Sequence, residues 1–397
     1  MQVLSARKRL CRRKERCRLR VAAVICEYNP FHFGHKKQLE VLKTKYDAVV
    51  GIMSGDAVQR GEAAIADKYV RARAAVECGM DAVFSLPFPH CCASAADFAR
   101  AGVYVADALG ADALAFGVED DFAQVERAAA VTGAPGFRET LDALIKRERN
   151  LSYPKAVSRL AGAEAASLLQ KPNNILAVEY LHALRGLQSP LKPEPVARDG
   201  ACASSSSLRT LLREAGRDAF LRALPEGSRR VYGELDGDVF PRDTERLSRA
   251  LLLLLRGGKT DLSQLYGTGG GLGGRMVRAA AEADSLASLV ARCRAAGFTD
   301  ARVRRAALAV LLDIRREAVH RKPAYTLLLA MNAAGRELLR TLRPALPVVT
   351  KPARAAEAGP EVKAAFAAEV RADALLALTA PKPQFGNSLR RSPFVCG

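Results

Sequence analysis

Two imidazoles three residues apart, His32 and His35 in His32-Phe33-Gly34-His35, are the side chains of this sequence best placed to do chemistry. They follow an apolar run, residues 21–26, and an Asn29-Pro30 turn, and they open a stretch that reads as helix. A strand that feeds a helix start through a turn makes an anion site, because free backbone N–H groups and the helix dipole converge there. Imidazole donors at that spot can hold phosphate oxygens as charge develops during attack at phosphorus. Gly34 lets a nucleotide approach the backbone closely. The competing reading is a histidine pair that only caps or packs the helix end. Its position directly after a buried strand favours the chemical one.

Two further stretches carry polar groups of the right kind. Residues 203–209, Ala-Ser-Ser-Ser-Ser-Leu-Arg, put hydroxyls and Arg209 at the start of a helix whose apolar positions are Leu208, Leu211 and Leu212. Ser206 and Arg209 are thereby candidates for a second phosphate contact. Pro172-Asn173-Asn174 precedes a helical stretch, residues 175–187. Asn there either caps the helix or presents its amide to a base or ribose, and the local sequence leaves both open.

The elements that must position these groups alternate. Apolar strands are expected at 21–26, 48–53, 82–86 and 113–116, with Gly117 at the end of the fourth and a last short strand at 193–198. Helices are expected between them, one over 67–77 carrying Lys68, Arg71 and Arg73, another over 94–109. This spacing implies βαβ crossovers and an α/β fold with a Rossmann-like, doubly wound parallel sheet. Ligands in such sheets sit at the carboxyl ends of the strands, where the two histidines, Ser54-Gly55 and Gly117 converge. Near residue 215 the sheet pattern stops. The reading is therefore a basic segment at 1–20, a catalytic domain at 21–215 and a mainly helical, basic domain at 216–397, with helices at 244–255, 276–293, 301–319 and 333–342. Gly269-x-Gly271-x-x-Gly274 has no strand before it and reads as a turn rather than a dinucleotide fingerprint.

The 397 residues are 49% hydrophobic, enough for a sizeable core. No apolar run approaches membrane-spanning length, which points to a cytoplasmic protein with no membrane partner. The net charge of +19 points to a polyanionic partner, nucleic acid first. Residues 1–20 hold nine Lys/Arg against one Glu, so 52 basic against 41 acidic residues, +11, remain in the body. The first twenty residues lack a secretory apolar core and are read as a leader rather than an RNA-contacting arm. The Arg302, Arg304, Arg305 and Arg315, Arg316 groups make a phosphate-backbone surface plausible in the second half. The nine cysteines show no zinc spacing.

The histidine motif resembles the HxGH signature of the nucleotidyltransferase superfamily. Further stretches narrow the resemblance to the bacterial tRNA(Met) cytidine acetate ligase family. They are EYNPFHFGH at 27–35, MSGDAVQRGE at 53–62, DKYVRAR at 67–73, LAFG at 114–117, KPNNILAVEYL at 171–181, VARDGA at 196–201 and ASSSSLR at 203–209. The second half agrees through GLGGRM at 271–276, FTDARVRR at 298–305, YTLLLAMNAAGREL at 325–338 and LPVVTKP at 346–352. The resemblance implies activation of acetate by ATP as acetyl-adenylate and acetylation of N4 of the wobble cytidine of elongator tRNA(Met). It implies an ATP-binding segment made of Ile25, Cys26, Glu27, Tyr28, Asn29, Pro30, Phe31, His32, Phe33, Gly34, His35, Lys36, Lys37 and Gln38. Gly117, Asn173 and Arg198 join it, with Ser206 and Arg209 at the phosphates. His32, His35 and Lys68 are the implied catalytic groups, Lys68 and Arg209 neutralising phosphates. Mg²⁺ is expected with the triphosphate, without a protein metal cage. Arg302 and Arg305 are the candidate tRNA contacts. Phe33 stands where the family usually has Asn, and Tyr69 where Trp is common. The rival functions are a small-molecule adenylyltransferase, which has no use for a second basic half, and a non-catalytic RNA-binding protein, which has no need to keep both histidines.

Overall fold

The computed structural model describes residues 19–148, 153–258 and 260–396. All but the last two residues of the basic segment 1–20 lie outside the described residues. Strand β1 (Val21–Cys26) turns through Tyr28 to Phe31 into helix α1 (Phe33–Lys43), followed by β2 (Ala48–Ser54). A two-residue ladder, β3 (Ala57–Val58) against β4 (Glu62–Ala63), leads to α2 (Lys68–Glu77) and β5 (Ala82–Leu86). Helix α3 (Ala95–Ala108), β6 (Ala113–Val118), three helices between residues 122 and 168, α4 (Pro172–Gly186) and β7 (Lys192–Ala197) complete the expected alternation. Helix α5 (Ser205–Arg222) follows, and Asp67, Ser94 and Ser204 cap α2, α3 and α5 with their side-chain oxygens.

β1 lies inside the sheet, with parallel β2 on one side and parallel β6 on the other. Its residues alternate between two cores, as a doubly covered strand requires: Val21, Ala23 and Ile25 face one cluster, Ala22, Val24 and Cys26 the other. The order is β10-β8-β5-β2-β1-β6-β7, where β8 is Thr326–Met331, β9 is Val348–Val349 and β10 is Phe394–Val395. The change of direction at β1 opens a crevice at the carboxyl ends of β1, β6 and β7.

The division at residue 215 needs correction. β8 pairs antiparallel with β5, and β9 and β10 flank β8, so three strands from the second half belong to the same sheet. Thr326–Met331 is a six-residue apolar run, too short for periodicity to separate strand from helix. The helical part of the second half, including α6 (Asp300–Leu312), packs its apolar residues into the same cluster as one face of the sheet. Two expected long helices are each split. Ser285 caps a new helix, Leu286–Arg294, inside 276–293, and Asp313, at φ 49°, ends α6 inside 301–319. Helix α7 (Pro360–Ala377) covers the β8 side through Val362 and Phe366.

Candidate active site

The crevice is a cavity of about 820 Å³. The histidine motif forms its floor through a mutual cap at the start of α1. Gly34 N–H donates to His32 Nδ1 at 3.1 Å, and His32 N–H donates to His35 Nδ1 at 3.3 Å. A Cβ on Gly34 would lie 3.0 Å from the His32 ring, so glycine is what lets that ring fold back on its own helix. The two rings stack at 3.7 Å between centroids. Because each Nδ1 accepts a backbone N–H, the remaining proton of each neutral ring sits on Nε2 (a tautomer assigned from these bonds). Burial, with Arg198 adding to it, holds His32 down at about 4. Burial, then His32 and Arg198, hold His35 well below the ordinary imidazole range. Both are therefore neutral donors near neutral pH. Capping does not exclude chemistry here: the cap uses Nδ1 of each ring and leaves Nε2 outside it.

A buried arginine holds the strand ends in place. Arg71, fully buried on α2, donates to the carbonyls of Glu27 at 2.5 Å, Ser54 at 3.0 Å and Ala66 at 3.0 Å, and also to that of Gly55. One guanidinium thus ties the ends of β1 and β2 together.

Of the segment from Ile25 to Gln38, nine residues line the cavity: Ile25, Cys26, Glu27, Tyr28, His32, Gly34, His35, Lys37 and Gln38. Asn29, Pro30, Phe31, Phe33 and Lys36 do not. Asn29 is buried, its side-chain oxygen accepting from Ile65 N–H at 2.9 Å; Phe31 is core; Phe33, 43% exposed, and Lys36 point off the outer face of α1. These five build the turn or decorate the helix. Gly117, Asn173, Arg198, Ser206 and Arg209 all line the cavity. Ser206 Oγ accepts from Arg209 at 3.3 Å and from Arg60 at 3.4 Å, and Arg209 also donates to Asn29 O at 2.9 Å. Asn173 is not a helix cap. It bonds Glu119 Oε1 at 2.6 Å through its amide and at 3.1 Å through its N–H, while buried Asn174 receives Glu119 N–H.

Lys68 is displaced from the phosphate role expected for it. Its side chain is 1% exposed, its ammonium is held by Glu369 and by Asp373 at 2.6 Å on α7, and it does not line the cavity. Charge type alone cannot tell a phosphate lysine from a core lysine whose partners lie 300 residues on. Arg305 is also not a free surface group: it donates to Gln59 O at 3.3 Å, and neighbouring Arg304 pairs with Glu62 at 3.4 Å. Gly61, at φ +79°, lies so close that a Cβ would be 2.3 Å from Arg305 N. Arg302 is more exposed, donating to Gly269 O at 2.7 Å and lying over the Phe298 ring. Sequence reasoning missed Gln59, Arg60, Glu119 and Asp199, all of which line the cavity. Arg60 lies in the turn between β3 and β4, in the stretch that follows the carboxyl end of β2, and that position was the available signal.

Residues 19–390 match the HIGH Nucleotidyl Transferase family. A tRNA(Met) cytidine acetate ligase from Syntrophotalea carbinolica is 35% identical over 361 residues, covering 85% of this chain and 86% of the relative. One from Fervidobacterium nodosum is 32% identical over 353 residues, covering 82% of each. A crystal structure of Thermotoga maritima TmcAL bound with alpha-thio ATP superposes with a TM-score of 0.85 at 28% identity, covering 95% of this chain and 99% of that one. With its HxGH turn, its doubly wound sheet and these relatives, the chain belongs to the HIGH nucleotidyltransferase family and, within it, to the tRNA(Met) cytidine acetate ligases.

Proposed function

We propose that this chain joins acetate to ATP as acetyl-adenylate and passes the acetyl group to N4 of the wobble cytidine of elongator tRNA(Met). The observation that carries the first step is the histidine pair: two neutral rings with Nδ1 engaged by backbone and Nε2–H left over, in a cavity that also holds Arg60, Arg198 and Arg209. An acetate oxygen attacks the α-phosphorus, negative charge grows on the equatorial oxygens, and the Nε2–H donors meet it without reorganising. Pyrophosphate departs as the P–O bond to it breaks, beside Arg209, Arg60 and the Ser206 hydroxyl. Mg²⁺ is proposed only as a companion of the triphosphate. Among the described residues no group of three His, Cys, Asp or Glu side chains is placed to hold a metal ion, so no step is assigned to a protein-held cation.

The excess of basic charge supports a nucleic-acid substrate, and Arg302 is the better of the two candidate contacts because Arg305 is spent on the Gln59 loop. A cytoplasmic place fits a tRNA substrate; among the described residues no helix is long and apolar enough to cross a membrane. The test is pyrophosphate exchange into ATP, without tRNA, across acetate, formate and propionate. Exchange that depends on acetate supports the reading. Exchange with no carboxylate requirement points instead to a different adenylyl acceptor.

A further inference from the structure

Glu27 is an anomaly in a cavity built for polyphosphate. It stands one residue past β1, and its carboxylate lines the cavity together with Arg60, Arg209 and both histidines. A carboxylate there repels ATP, so its presence calls for a use. The other carboxylates lining the cavity are engaged. Glu119 accepts twice from Asn173 and lies 4.0 Å from Arg198, and Asp199 is paired with Lys37. Glu27 Oε1 accepts only the backbone N–H of Gln59, at 2.8 Å, and among the described residues no lysine, arginine or histidine reaches the carboxylate within ion-pair distance. Its second oxygen accepts no hydrogen bond from the described residues.

We propose that Glu27 is the proton acceptor of the acetyl-transfer step, an inference that rests on the function proposed above. The exocyclic amine of cytidine is a poor nucleophile, because its lone pair is delocalised into the ring. As N4 attacks the acetyl carbonyl carbon, the new C–N bond forms and the C–O bond to the adenylate breaks, its electron pair leaving with AMP. The N4 proton then passes to Glu27 and on to solvent, so the step balances without any other reactant. The surroundings suit a base. Enclosure by protein raises the Glu27 carboxyl, while the Gln59 N–H and then Arg209, Arg60 and Arg71 pull it back. Cys26 and Tyr180 lie close enough to feel its charge. A base raised towards the working pH abstracts better than an exposed carboxylate and still ionises.

The experiment supplies acetyl-adenylate and tRNA(Met) directly, bypassing adenylate formation, and follows single-turnover transfer against pH. With the unaltered protein the rate rises with pH through an acidic limb and then levels; a flat profile overturns the proposal. Glu27→Gln keeps an acceptor for the Gln59 N–H. It slows transfer from the supplied acetyl-adenylate by about a hundredfold or more, the scale of losing a general base, and abolishes the limb. Transfer within tenfold of normal would overturn the proposal. So would loss of exchange with a changed Mg²⁺ dependence, which would make Glu27 a ligand of the nucleotide's cation. If the unaltered protein makes no acetyl-adenylate at all, it is the functional reading that fails.

Discussion

Replacing Lys68 by Met separates a core lysine from a phosphate lysine. In the native fold one ammonium is shared by Glu369 and Asp373, with Tyr325 donating to Glu369 and Ser388 to Asp373. Removing one partner of a buried ion pair costs about 3–5 kcal/mol, because the other charge is left uncompensated. Here two carboxylates lose their cation, and the system relieves the strain by keeping a proton. Burial already raises the Asp373 carboxyl to about 7 against the pull of Lys68. A raised folded value means that the native state holds a proton the unfolded chain has released. That contribution is full below about pH 4, declines as pH rises to about 7, and is then constant. Without Lys68 the folded value climbs further, so the decline continues above pH 7 at about 1.4 kcal/mol per pH unit. Urea unfolding at pH 6, 7 and 8 therefore shows a variant whose deficit widens with pH. Below its melting temperature the folded variant keeps its ATP KM within about threefold, since Lys68 does not line the cavity. Normal stability together with a tenfold rise in KM would refute the core assignment and restore the phosphate role.

His35→Ala should lower adenylate formation by about two to three orders of magnitude while weakening ATP binding far less, the mark of a donor used mainly in the transition state; near-normal turnover would leave the histidine a cap. Because burial holds His32 at about 4 and His35 low, exchange activity should show no inflection at the ordinary imidazole value of about 6.5, and a clear one there would contradict the neutral pair. Arg209→Ala should raise the ATP KM and lower kcat together, measured by pyrophosphate exchange; unchanged kinetics in a folded variant would remove it from the phosphate site. Arg302→Glu should weaken tRNA binding and flatten its salt dependence, whereas Arg305→Glu should also disturb ATP kinetics through the Gln59 loop. Filter binding at several salt concentrations, run beside exchange assays, distinguishes the two.

The local features of the site were legible because they are built from neighbours in sequence. β1, the HxGH turn and α1 are contiguous, and the Ser-Arg helix start carries its own signal in Ser204 and the apolar positions after it. What escaped reading depends on distant partners. Lys68 meets Glu369 and Asp373 three hundred residues away, and the only hint was two carboxylates four apart on an otherwise apolar helix face. Arg305 is claimed by the Gln59 carbonyl, a contact set by how α6 packs against Gly61. β8 is invisible to periodicity because every one of its first five residues is buried. The histidines posed the subtler problem: the sequence offered cap or catalyst, and the hydrogen bonds show a cap that leaves each Nε2 free of it.

Attack of acetate on the α-phosphorus is the central claim, and oxygen tracing tests it most directly. Acetate labelled with ¹⁸O in both carboxylate oxygens is incubated with the protein, ATP and tRNA(Met), and the products are weighed by mass spectrometry. The acetate oxygen that bonds to phosphorus stays there when the acetyl group leaves. AMP should therefore carry one ¹⁸O, pyrophosphate none, and acetylated cytidine the other label. Unlabelled ADP in place of AMP, beside labelled inorganic phosphate, would mean activation at the γ-phosphorus, and the site would have to be rebuilt around a different reaction.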